Sequence, residues 1–380
     1  MNAARESSRW PTTHCAWFRA AEPESGRCPA SDLSNVLPSD DKNSSPLSLG
    51  FAQIAAMAAG HAEARALQTA LKLGVFEALA RDDASADALA HALGCDARAT
   101  ALLANAMVAM GLLAKSDGRF RLGEPARRYL VRSSPEYLGG MILFDEALWD
   151  VWGRLDESVR SGRPARTPDM FQSSPEETFR FISAMDSLVR ARGDARYLAD
   201  NLDLGDVSRI MDVGGGPGTY VAAMLRRWPG MRAVICDLPA TLAVARQILA
   251  ERELDVMDRI ELVALDYRRD QLPGPFDAIF MSNIIHSEPP ETNRMLMGKC
   301  FRALAARGRV IIKDHIMNAE MTEPRAGAIF SLYLLLTTHG RDYSLDEVRR
   351  WLEGAGFAAI RELAMKGGPF TSSLVVGEKP

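Results

Sequence analysis

Five cysteines in 380 residues, at positions 15, 28, 95, 236 and 300, are odd in number and show no metal-ligand spacing. That excludes a disulfide scaffold and a zinc module, and it fits free thiols in a reducing cytoplasm. There is no run of about 18 apolar residues, so the sequence contains no candidate bilayer span. Charge of one sign is also lacking: the formal net charge is -4, with acids and bases interspersed. No global field gathers nucleic acid or an anionic membrane surface. What is present, 47% hydrophobic and 25% charged residues, is the composition of a globular protein with length for about two domains.

The most informative stretch is Ser208 to Trp228. Ile210, Met211 and Val213 form an apolar run ending in Gly214, Gly215, Gly216 and Gly218, after which Val221, Met224, Leu225 and Trp228 recur at helical spacing. The expected structure is strand, tight turn, helix, with Thr219 opening the helix. Glycines remove side chains where a ligand must approach the backbone. A dinucleotide fingerprint would place a further glycine where Thr219 stands, and its pyrophosphate would meet the carboxylate of Asp212 just before the turn. An acid there suits a cationic ligand instead, and S-adenosylmethionine, a sulfonium, is one. Asp237 ends the next strand, where a carboxylate can accept both ribose hydroxyls, and Asp266 ends the third, placed to accept from an adenine amino group.

Around this core the chain falls into four stretches. Residues 1–48, rich in Ser, Pro, Asn and Asp, are expected to be a disordered tail without a secretory signal's apolar core. Residues 49–133 are alanine- and leucine-rich and read as three helices followed by a hairpin turning at Asp117-Gly118, a winged-helix outline. The third helix carries only Arg98 as a base, which argues against a DNA-reading role. The first helices are too apolar to stand alone in water, so a partner subunit is expected to cover them. Residues 134–201 read as helical through Arg192, with aromatics and methionines that are either core or the wall of a substrate pocket; Phe144, Trp149 and Met185 are the pocket candidates. Residues 202–380 alternate strand and helix as a parallel α/β sheet does, then close with a hairpin across Gly367-Gly368-Pro369.

The chemistry centres on His286, which follows the strand Phe276–Met281 and therefore faces the crevice where doubly wound folds bind ligands. A near-neutral pKa suits it to take the proton of a phenol or similar hydroxyl. No set of His, Asp and Glu at metal-ligand spacing is visible.

On the MDVGGGPGT turn, the CDLP segment 236–239, Leu265-Asp266, the NIIH segment ending at His286, GRVIIKD at 308–314 and the run 340–357, the chain from about Leu49 onward resembles the plant-type class I O-methyltransferases. That group includes the caffeic acid, flavonoid and hydroxyindole enzymes. The resemblance implies a Rossmann-like, seven-stranded α/β methyltransferase domain behind a winged-helix-like dimerisation domain, and a homodimer. It implies that Gly214 and Gly216 hold the methionine part of S-adenosylmethionine, Asp237 the ribose, and Asp266 with Tyr267 the adenine, with Asp212, Leu238 and Ser282 beside them. It matches His286 to the catalytic base and Asp342 to a carboxylate that orients it. The family's acid and tryptophan after the histidine are here Ser287 and Glu288, and its lysine four residues earlier is Ser282. The expected reaction is therefore methylation of a hydroxyl on a small aromatic or polyketide-like metabolite. Carbon methylation, a non-methylating member of the fold and an effector-binding regulator stand as alternatives.

Overall fold

The computed structural model describes residues 49–363 and 372–380. The expected disordered tail and the Gly367-Gly368-Pro369 connection lie outside the described residues. The chain divides into two units, Met1–Ala58 and Ala59–Pro380. Helix α1, Phe51–Leu73, begins in the first, where Phe51, Ile54 and Met57 are exposed.

The larger unit opens with α2 (Val75–Arg81), β1 (Ala84–Ser85), α3 (Ala86–Leu93), α4 (Ala97–Ala109), β2 (Leu113–Ser116), β3 (Arg119–Leu122) and α5 (Glu124–Tyr129). Local chemistry sets these limits: the Ser85 hydroxyl accepts the Ala88 N–H and the Asp96 carboxylate that of Ala99, each satisfying a donor that a helix start leaves over. Both Asp117 and Gly118 have positive φ, the geometry of a two-residue hairpin, and β2 pairs antiparallel with β3. Phe76, Leu89, Met107 and Phe120 fill the core beneath.

Next come α6 (Gly139–Ala147), α7 (Trp149–Trp152), α8 (Leu155–Ser161), α9 (Pro175–Arg192) and α10 (Asp194–Asn201). The helical reading of this stretch fails between residues 162 and 174. Gly162 ends α8 in the left-handed conformation, and Pro164 and Pro168 follow, so helix cannot resume until the Ser174 hydroxyl caps α9.

The rest is a doubly wound sheet: β4 (Arg209–Val213), α11 (Thr219–Arg227), β5 (Arg232–Asp237), α12 (Pro239–Arg252), β6 (Ile260–Ala264), β7 (Phe276–Ser282), α13 (Pro290–Ala303) and β8 (Leu304–Asp314). It continues through β9 (Ile316–Met317), α14 (Arg325–Thr337), β10 (Tyr343–Ser344), α15 (Leu345–Ala355), β11 (Ala358–Leu363) and β12 (Ser373–Glu378). Seven strands lie in the order β11-β12-β8-β7-β4-β5-β6. The five from β8 to β6 are parallel, and β12 runs antiparallel to both its neighbours. Apolar clusters on the two faces of the sheet, one around Met281 and Leu296 and one around Phe280 and Leu225, bury it. The strand order reverses between β4 and β7, and the crevice outside their carboxyl ends is where such sheets receive ligands.

Candidate functional site

The glycine turn leaves β4 at that reversal. Gly214 and Gly216 have φ of 66° and 53°, values that L side chains rarely adopt. A Cβ on Gly214 would also lie 2.3 Å from Ile284 Cδ1, whereas one on Gly216 would enter open space. The turn is thus closed on the β7 side and open toward a cavity lined by Asp212, Asp237, Leu238, Asp266, Tyr267 and Ser282, all expected at a cofactor, and by Met185.

Electrostatics describe what this cavity wants. Asp212 is buried, one of its carboxylate oxygens has no hydrogen-bond partner, and burial together with the charge of Asp237 pushes its pKa up to about 8. Asp237 accepts the N–H of Gly216 at 2.9 Å and of Leu238 at 2.7 Å; burial still raises it to about 6 against the pull of those N–H groups and the Thr241 hydroxyl. Two desolvated acids, one with an unused oxygen, above a floor that a side chain would fill, fit a ligand bearing positive charge and hydroxyls. Asp266 differs: its carboxylate is gripped by the Arg268 guanidinium at 2.9 and 3.1 Å, so its pKa lies below the ordinary value despite partial burial.

His286 lies in a short turn, Ile285–Ser287, just past β7. Its Nδ1 is 2.6 Å from Asp314 Oδ1, and its backbone N–H points at the other oxygen of the same carboxylate, 3.4 Å away. Asp342 stands farther off, 3.9 Å from Nδ1 and 3.5 Å from Nδ1 of His315. The carboxylate hydrogen-bonded to His286 is therefore Asp314 and not Asp342, because β8 is the strand beside β7 and delivers its last residue to the histidine. Acids stand at or near the ends of β4, β5 and β6 in the sequence, and the same criterion applied to β8 gives Asp314. The acids also bring together what linear spacing hides: His286, Asp314 and Asp342 each offer a ligand atom within 4.8 Å of the others. The short Nδ1 to Oδ1 contact among them has the length of a hydrogen bond.

Burial pulls the His286 imidazole down, but the adjacent Asp314 carboxylate and then Asp342 outweigh it, so the pKa lies above the ordinary value. Asp314 falls below its ordinary value, since the facing imidazoles of His286 and His315 and the hydrogen bonds to them outweigh its burial. With Nδ1–H donated to Asp314, Nε2 carries the free lone pair.

The aromatic candidates divide. Met185 faces the cofactor cavity. Phe144 is buried against Phe171 and Phe181, with ring centroids 4.9 and 5.5 Å away. Trp149 lies under the Arg65 guanidinium at 5.0 Å, and neither it nor Phe144 lines that cavity. Of the rings leading away from His286, Phe330 and Tyr333 are ones that sequence reading misses. Phe330 stands edge-on to His286 at 5.2 Å and to His315 at 5.1 Å; Tyr333 stacks on Phe330 at 5.1 Å, and Trp152 follows at 6.5 Å. Phe330 and Tyr333 are one helical step apart on α14, a signal drowned among the leucines and other apolar residues of that helix.

Comparison with known proteins bears on this geometry. A family model for an O-methyltransferase domain matches residues 152–358, and one for an O-methyltransferase dimerisation domain matches residues 56–132. The chain is 34% identical over 326 residues to 3-hydroxy-5-methyl-1-naphthoate 3-O-methyltransferase of Streptomyces sahachiroi, covering 85% of this chain and 94% of that one. It is 30% identical to the tetracenomycin polyketide synthesis 8-O-methyl transferase TcmO of Streptomyces glaucescens, covering 83% and 93%. Among solved structures, PigF with SAH superposes with a TM-score of 0.79 at 29% identity, over 87% of this chain and 100% of that chain; PigF is an S-adenosyl-L-methionine-dependent methyl transferase of a Serratia strain.

Proposed function

The chain belongs to the O-methyltransferase family and is an S-adenosylmethionine-dependent O-methyltransferase acting on aromatic substrates; on that premise we propose that His286 is the base and a hydroxylated, fused-ring aromatic of polyketide type the acceptor. The observation that carries this reading is the hydrogen bond from His286 Nδ1 to Asp314, which leaves Nε2 as a proton acceptor on a turn whose preceding residues, Asn283 and Ile284, line the cofactor cavity.

Bound S-adenosylmethionine supplies an electrophilic methyl carbon on a sulfonium. Asp212 and Asp237, with Gly214, Gly216 and Leu238, would hold it; Tyr267 and Ser282 complete the walls of the cavity. His286 would take the acceptor's hydroxyl proton at Nε2, freeing the oxygen's electron pair for a methyl carbon whose bond to sulfur breaks, that bonding pair staying on the sulfur of the departing thioether. Asp314 stabilises the imidazolium so formed, and Asp342 adds its charge from behind. Phe330 and Tyr333 present ring faces and edges along which a planar acceptor lies, and holding both reactants supplies much of the acceleration. The acceptor reading draws on this wall and on the naphthoate and tetracenomycin enzymes among the relatives.

Residues 49–133 serve as the dimerisation region, 134–201 contribute to acceptor binding, and 202–380 bind the cofactor. The working assembly is a homodimer, supported by the matched dimerisation domain and by the exposed apolar residues of α1. Among the described residues no helix is long and apolar enough to cross a membrane; a cytoplasmic site is proposed from the free thiols of Cys95, Cys236 and Cys300. The test is to incubate the purified protein with methyl-labelled cofactor and a panel of mono- and polycyclic phenols, including hydroxynaphthoates. Label transferred to oxygen of a fused-ring phenol supports the reading; label on carbon, or transfer only to single-ring phenols, overturns it.

A further inference from the structure

The turn that carries His286 is fastened to the cofactor cavity at both ends. Before the histidine, Ile284 lies so close over Gly214 that the glycine has no room for a Cβ. After it, Glu288 accepts a hydrogen bond from the Tyr267 hydroxyl at 2.8 Å. Tyr267 follows Asp266 beyond β6 and lines the cavity, so one side chain touches both the cofactor space and the residue two positions past the histidine.

Glu288 is buried, and its main chain is pinned independently. Its carbonyl accepts the Tyr343 hydroxyl at 2.6 Å and the Asn293 amide at 3.1 Å; the same amide reaches the Ile285 carbonyl at 2.8 Å. Gly340, packed against the same turn, gives no slack, because a Cβ on it would lie 2.1 Å from the His286 carbonyl oxygen. The Glu288 carboxylate does not serve His286, whose acids are Asp314 and Asp342. A buried carboxylate is costly unless bonded, and here the bond is to Tyr267. Burial, followed by the charge of Glu288, pushes the Tyr267 phenol far above its ordinary pKa, so the hydroxyl remains a donor at any working pH.

We propose that Glu288 is a positioning residue which, through its hydrogen bond to Tyr267, couples filling of the cofactor cavity to the placement of His286. The inference rests on His286 acting as the base. A ligand packed on Tyr267 restrains its ring; the ring restrains the Glu288 carboxylate; and a turn this short, pinned at Ile285 and Glu288, passes the restraint to the histidine between them. Coupling of this kind is reciprocal and is measured as a difference between states.

The experiment uses the full-length protein and S-adenosylhomocysteine as the probe. Hydrogen exchange across residues 284–288 is followed with and without the probe in the wild type and in Tyr267→Phe, Glu288→Gln, Glu288→Ala and His286→Ala, alongside probe affinity and turnover. In the wild type the probe slows exchange across the turn. Loss of one hydrogen bond to a charged acceptor is expected to cut that protection and kcat by about tenfold in Tyr267→Phe, with probe affinity falling by no more than the same factor. Glu288→Gln keeps an amide oxygen for the Tyr267 hydroxyl and retains most of both, while Glu288→Ala loses both. Wild-type protection and kcat in Tyr267→Phe overturn the inference, and so does Glu288→Gln behaving like Glu288→Ala. Should Tyr267→Phe fail to fold, the Gln and Ala pair decides alone. Because protection is read without turnover, an active His286→Ala would sink the base assignment and be told apart from failure of the coupling.

Discussion

Asp314 ends β8 with one carboxylate oxygen 2.6 Å from Nδ1 of His286, while Asp342 stands 3.9 Å from the same nitrogen. The nearer acid fixes the tautomer and the farther one contributes charge, so the two are expected to differ in mutational effect.

Replacing Asp314 by Asn should therefore cost more than replacing Asp342 by Asn. The expected loss of kcat is on the order of 10²- to 10⁴-fold for Asp314→Asn, because an amide can select the wrong tautomer and cannot stabilise the imidazolium. His286→Ala should fall in the same range with cofactor affinity nearly intact. Steady-state kinetics on one acceptor decide the order, and an equal or larger loss in Asp342→Asn would reverse the assignment of the orienting acid.

The pH profile has a definite sign. With His286 as the proposed base, its neutral form is the active one, so kcat/KM should rise with pH through the histidine's pKa, which burial lowers but Asp314 and Asp342 raise further, to a net value above the ordinary one. In Asp314→Asn the largest raising influence is gone and burial remains, so the rising limb of the residual activity should move to lower pH. A limb that stays in place would show that another group titrates.

Asp212 carries a stability cost at neutral and higher pH. Its folded pKa of about 8 is far above that of an unfolded aspartate, so the folded chain holds the proton more tightly and stability falls as pH rises from about 4 to about 8. Asp212→Asn removes this dependence; without cofactor its Tm near pH 8 should exceed that of the wild type by on the order of a few degrees. Binding of S-adenosylmethionine should weaken at the same time. A variant less stable than wild type across that range would contradict the argument.

Asp237 offers the cleanest check on the cofactor cavity. It already holds the backbone N–H groups of Gly216 and Leu238, so its position is set before any ligand arrives. Asp237→Asn keeps one acceptor oxygen and loses the charge, which should weaken cofactor binding by about 2 kcal/mol in calorimetry. Unchanged affinity would remove Asp237 from the binding set.

On α1, Phe51, Ile54 and Met57 are 88%, 58% and 57% exposed. Apolar side chains so placed are covered when a second copy docks. Light scattering at micromolar concentration should give a dimer mass for the wild type and a lower mass for the Ile54→Glu, Met57→Glu double variant. A monomeric wild type with full activity would refute the assembly.

Much of this molecule is legible in its sequence because the signals are local. Alternating strands and helices announce the doubly wound sheet, the run of glycines after Val213 marks the turn, and acids or a histidine just past apolar strands mark the crevice edge. Each of these depends only on residues a few positions apart. The division of labour among the acids is not local. Asp314 is 28 residues from His286, and the two meet because β8 was laid beside β7. Glu288, which stands where a supporting acid is looked for, turns to Tyr267 instead, 21 residues back.

The aromatic residues make the same point. Helical spacing tells that Phe144 and Trp149 share a helical region, but not which face meets a cavity; Phe144 went to the core and Trp149 beneath Arg65. Phe330 and Tyr333, inside a largely apolar helix, became the wall beside the histidine. By itself the sequence determined the fold class, the cofactor turn and the strand ends that bear chemistry, since periodicity and backbone permissiveness are properties of neighbouring residues. Only the tertiary structure decided which acid holds His286, which rings stand beside it and which side chain ties its turn to the cavity wall, because hydrogen bonds and ring contacts form between side chains within a few ångströms, and strand order brings those side chains together.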